Sequence, residues 1–173
     1  MQAIGFKEWQ VVCDAIGNGR QTLILRKGGI HEGRDGFHFA HREFFLFPTR
    51  FHAQSEHVRV GSVEVLDEWK IDDPVPISVW VEVISTRLLE KWEEVILLEK
   101  QHIYTESTLK ERFEWQGKSM AAGSLHVAEI RAHQLDVPWV ISYQKSYAGC
   151  RSWVDLPTPP PQWRDATLPV LRG

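Results

Sequence analysis

Between Leu23 and His52 two apolar runs flank a glycine-rich segment, and that arrangement decides most of what the chain can become. The first run, Leu23-Ile24-Leu25, leads straight into Arg26-Lys27-Gly28-Gly29, and the second extends from Phe37 to Phe47 before Pro48-Thr49. Leu23 and Leu25 fall on one face of a strand and Ile24 on the other, which marks a central strand covered on both sides. Lys27 to Gly36 holds four glycines and is expected to be a loop. Period-two spacing puts Phe37, Phe39, His41, Glu43, Phe45 and Phe47 on one face of the second strand. His41 and Glu43 are therefore expected on the buried side, bonded to each other or to a partner across the sheet, because unpaired buried charges are costly.

The rest of the chain supplies scaffold around these strands. Phe6, Trp9, Cys13 and Ile16 recur at helical steps before Gly17-Asn18-Gly19, which predicts an amphipathic helix with a glycine stop. Val58, Val60, Val63 and Val65 suggest a strand. Ile77, Val79, Val81 and Val83 alternate with polar residues and predict another. Ser85 can cap a helix through about Leu98, and Thr105 a shorter one to about Trp115 with Leu109 and Phe113 inward. Leu125 to Leu135 reads as a strand that Pro138 breaks, with Val140 to Tyr143 a further short strand. No βαβ rhythm and no repeat appears. The expected fold is α+β, with a mixed or antiparallel sheet that can curl into a small barrel, flanked by helices. Residues 1–156 are expected to form a single domain and residues 157–173, with Pro159-Pro160-Pro161, an extended C-terminal arm.

Composition narrows the function classes. With 43% hydrophobic and 25% charged residues the chain is globular. A net charge of −3 excludes attraction of the whole surface to nucleic acid and leaves room only for a local basic patch. Two cysteines, Cys13 and Cys150, are too few for a disulfide framework and suggest a reducing compartment. No run approaches the ~18 apolar residues of a membrane span, so a cytoplasmic location without membrane contact is expected.

The site candidates cluster in the opening stretch. Arg26, Lys27, Gly28 and Gly29 follow a strand, where glycines can turn backbone N–H groups toward one point and the cations add charge; Arg42, Arg50 and His52 can join them around an anion such as phosphate. The plainer reading is a turn with solvated cations. His38 and His41 point to opposite faces of a strand, so they cannot share an ion, and no cofactor or tightly held metal is expected. Glu32, His41 and Glu43 are the candidates for acid–base or metal-assisted hydrolysis. Glu68-x-Lys70 has the form of half a nuclease site but lacks an accompanying Asp, and a chance triplet is the plainer reading. Cys150 beside Arg151 can be reactive, although a thiol packed against Trp153 is the commoner arrangement. Trp139, Trp153 and Trp163 lie in irregular segments and are the candidates for stacking on a base.

F-K-E-W near the N-terminus, L-I-L-R-K-G-G-I, F-x-L-F-P-T-x-F-H and G-C-R-S-W-V resemble the bacterial family known as domain of unknown function 1802. The resemblance carries no catalytic residues. It implies a context of restriction–modification or defence, with a restriction-endonuclease-like protein as partner. The leading expectation is a nucleic-acid recognition module that contacts DNA or RNA through the local basic patch. The rivals are a small hydrolase or nuclease using the His/Glu residues, and a structural protein with a buried polar network.

Overall fold

A computed structural model describes residues 3–27, 37–59, 66–114, 123–165 and 167–170. Seven strands and three α-helices are formed among them: β1 (Ala3–Trp9), α1 (Gln10–Gly17), β2 (Leu23–Lys27), β3 (Glu43–Thr49), β4 (Pro74–Leu89), α2 (Trp92–Ile96), α3 (Glu106–Glu114), β5 (Leu125–Ser142), β6 (Trp153–Leu156) and β7 (Thr167–Pro169). The strands form one mixed sheet in the order β2-β5-β4-β3-β1-β6, with β7 on β5. The β1–β3 pair is parallel and the other pairs are antiparallel. The sheet does not close into a barrel, since β2 and β6 end its path. It curls nonetheless: the Arg26 guanidinium on β2 donates to the Lys7 carbonyl on β1, although three strands lie between them along the sheet.

Both faces are buried. Phe44 and Leu46 of β3 enter one core cluster with Phe6, Ile24 and Tyr104, and Phe45 and Phe47 enter a second with Ile77, Trp80 and Leu156. Burying four successive side chains, each worth roughly 1.5–3 kcal/mol for a Leu or Phe, fixes β3 as a central strand. After β6 the chain turns at residues 161–165 and sets Trp163 against Phe45 and Trp80, with ring centroids 4.7 and 5.0 Å apart. β7 then pairs with His133–Leu135 on β5. No described helix is long and apolar enough to cross a membrane.

Several expectations give way to tertiary pairing. Phe6 and Trp9 lie on β1, and helix begins only at Gln10, because β3 and β6 hold residues 3–9 extended from both sides. The predicted helix from Ser85 is strand as far as Leu89, paired with Glu129 to Leu125, which leaves α2 only five residues. β5 runs through Pro138. Its pairing with β4 jumps from Trp139↔Ile77 to Gln134↔Val79, so residues 135–138 bulge opposite Ser78 alone and the proline faces no ladder. Of the valine run, Val58 bridges Tyr104, while residues 60–65 lie outside the described residues. Thr105 does cap α3, its Oγ1 accepting from the Thr108 N–H at 3.3 Å, with Leu109 and Phe113 buried.

Candidate anion-binding cleft

Where β1, the end of β2, α3 and the turn before β6 converge, they enclose a cleft of about 380 Å³. Among the described residues, five cations line it, Lys7, Arg26, Lys27, Arg112 and Arg151, against one carboxylate, Glu111. In a chain of net charge −3 this is a marked local excess.

The inner cations are held in place. Lys7, only 7% exposed, donates its Nζ proton to the Gly149 carbonyl at 2.7 Å, which ties β1 to the turn before β6. The Arg26 guanidinium lies over the Phe6 ring at 4.4 Å and stands 3.6 Å from Glu8 Oε2. Glu8 is buried, and its Oε1 accepts the Trp9 N–H at 2.9 Å. Its Oε2 and the Arg26 Nε have no hydrogen-bond partner among the described residues. Arg112 lies over both Trp9 and Tyr104, 4.3 Å from each ring, and donates to the Leu25 carbonyl at 3.2 Å. Burial pushes the Tyr104 phenol up to about 12, against the opposing pull of Arg112, so it stays protonated. Burial also raises the Cys13 thiol, with the nearby Glu8 adding to the effect. On the α3 wall, His57 Nδ1 and Thr108 Oγ1 share a hydrogen bond of 3.0 Å. Cys150 and Arg151 are exposed at the rim.

Of the residues singled out in the sequence, Arg26 and Lys27 reach the cleft. Gly28, Gly29, His31 and Glu32 lie outside the described residues. Arg42 is exposed on the bend before β3, Arg50 lies over the Trp69 ring at 3.4 Å, and His52 Nε2 stands 3.9 Å from Asp67. None of these three lines the cleft.

His41 and Glu43 are not an inward pair. The strand starts only at Glu43, so the alternation from Phe37 is interrupted; Phe37 and Phe39 pack with Phe6 in the first cluster, away from Phe45 and Phe47. The His41 ring rests against Trp153 at 4.8 Å. Glu43 is exposed and pairs with Arg164, whose hydrogen bond holds its carboxyl below the usual range. Glu68 and Lys70 are exposed in the irregular segment before β4. Trp139, Trp153 and Trp163 pack within or against the core clusters, Trp153 and Trp163 being half-buried. Cys150 is not packed against the core as the commoner reading held.

Lys7, Arg112 and Arg151 were missed as site residues. Lys7 sits in the F-K-E-W segment, where a lysine amid apolar strand residues was the available signal. Arg112 carries none, since its place depends on how α3 docks.

An open, curled α+β sheet with a cationic cleft at one edge is thus the class of molecule. Its fold is shared with ASCH from Zymomonas mobilis, whose crystal structure matches with a TM-score of 0.55 at 12% identity, over 90% of this chain and 87% of that one. A serine-to-alanine variant of that protein matches at 0.53 with 10% identity, over 90% and 88% of the two chains. A tyrosine-to-phenylalanine variant gives 0.52 with 13% identity, over 91% of each. At such identities the likeness is one of fold. No curated protein matches the sequence. Residues 5–172 match the family described as domain of unknown function (DUF1802), and the chain belongs to it.

Proposed function

We propose that the protein is a nucleic-acid recognition module whose cleft receives phosphate-bearing strands. One observation carries this reading: five cations from four separate elements converge on one cleft of an otherwise acidic molecule. Arg26 and Arg112 are pre-oriented by stacking and carbonyl contacts, so little side-chain entropy is lost when an anion arrives. Lys27 and Arg151 add further positive charge to the lining. The further context, restriction–modification or defence with a restriction-endonuclease-like partner, is supported by the family resemblance alone.

The test is a fluorescence-anisotropy titration of single- and double-stranded oligonucleotides at several salt concentrations. If two to four phosphates are contacted, the slope of log affinity against log salt is about −1.4 to −2.8 on single strands. Absence of binding at low salt refutes the proposal.

A further inference from the structure

The shape of the cleft selects among nucleic acids. Its volume of about 380 Å³ belongs to the range of small-molecule sites, about 300–1,000 Å³. Its cations surround a hollow instead of standing along a ridge. The two deepest are recessed: Lys7 is 7% exposed and the Arg26 side chain 15%. A continuous duplex carries its phosphates on a stiff convex backbone and reaches cations that protrude. A recessed cation serves only a group that enters.

Trp9, the aromatic residue of the lining, does not present a platform for successive bases. Arg112 covers its ring at 4.3 Å, while Phe51 and Tyr104 meet it edge-on at 5.0 and 5.6 Å. The polar side chains on the walls, His57 and Thr108 on one side and Ser152 on the other, suit the sugar and base edges of one residue. Resting on the nucleic-acid reading above, we infer that the cleft takes a single unstacked nucleotide with its phosphate, as a strand end or as a free mononucleotide, and does not take continuous duplex.

Cys150 provides a readout at the rim of the cleft, since it is exposed there while Cys13 is buried. In the native full-length chain, saturating AMP is expected to slow alkylation of Cys150 by iodoacetamide and to displace a bound single-stranded oligonucleotide. Inorganic phosphate should compete at least about tenfold less well. A blunt duplex of the same sequence should bind at least about tenfold more weakly than the single strand. Stronger binding on adding a terminal phosphate to the oligonucleotide identifies a strand end as the occupant; AMP binding as tightly as the oligonucleotide identifies the free nucleotide. Duplex binding equal to single-strand binding, or a bound single strand with AMP neither protecting nor competing, overturns the single-nucleotide site and leaves the nucleic-acid reading standing. If no oligonucleotide binds at low salt, both fall.

Discussion

Two clusters of charged side chains differ in whether their charges cancel. Against the second core cluster, Glu43 and Glu82 face each other across β3 and β4 and are answered by Arg164, Arg131 and His133. His133 bonds Glu82 at 2.8 Å and stacks flat on Trp80 at 4.1 Å. That group is nearly neutral and largely at the surface. Against the first core cluster, Glu8 answers Arg26, while Lys7, Lys27, Arg112 and Arg151 stand around the cleft, where Glu111 is the one carboxylate among the described lining residues. An excess of cations over carboxylates raises the local positive potential, which an anion would lower. A balanced network holds structure together, whereas a surplus leaves a net positive potential.

The largest expected difference between the two is in stability. Changing Glu8→Ala removes a fully buried carboxylate from beside the half-buried Arg26 and should cost up to about 3–5 kcal/mol by urea denaturation. Glu43→Ala, at an exposed pair, should cost below about 1 kcal/mol. Equal losses would erase the contrast.

Next in size is a pH effect at the margin of the cation-rich region. Burial, helped by the Arg59 and Arg112 charges, lowers the His102 imidazole from 6.5 to about 4. The unfolded chain then binds the proton more readily, so the stabilisation is complete above pH 6.5 and lost as pH falls toward 4. The change should be about 3 kcal/mol, seen in denaturation midpoints across that range. His102→Phe should flatten it.

For binding, Lys27→Ala with Arg151→Ala should lower single-strand affinity at least about tenfold and reduce the salt slope by about 1.4 if each meets one phosphate. Arg131→Ala in the balanced cluster should leave both unchanged. The smallest effect belongs to the Glu43–Arg164 pair. Its carboxyl is lowered by the Arg164 hydrogen bond, so its contribution is present above the ordinary carboxylate range and disappears as pH falls through the lowered value. Glu43→Gln should remove a fraction of a kcal/mol from the acid limb of the stability profile.

How far the sequence reveals this molecule depends on the range over which each feature is decided. β2, the alternating core of β4 and the cap of α3 are local patterns, and the structure shows them in place, although β2 is an edge strand of the sheet and not the central strand that its two apolar faces suggested. The extended state of Phe6 and of Ser85 to Leu89 is imposed by strands far away in sequence, against a helical spacing that is real but outweighed. The face of His41 was misjudged for a related reason: period two holds only while the strand is continuous, and here it begins two residues later. The cleft was half visible. Arg26 and Lys27 could be chosen because they follow a strand end, whereas Arg112 and Arg151 join them only through tertiary placement.

β1 lies between β3 and β6, and Gly5 permits the close approach, since a Cβ there would come within 2.9 Å of the Val154 side chain. Residues 3–6 must therefore wait for residues 153–156 before the sheet is complete. Pairing across so long a stretch of chain is slow, because closure entropy is spent before the contacts repay it. Lys7 and the turn at Gly149 are drawn together by that same pairing. The cleft is therefore complete only in a chain whose two ends have met, since its walls include Lys7 on one side and residues 149–152 on the other.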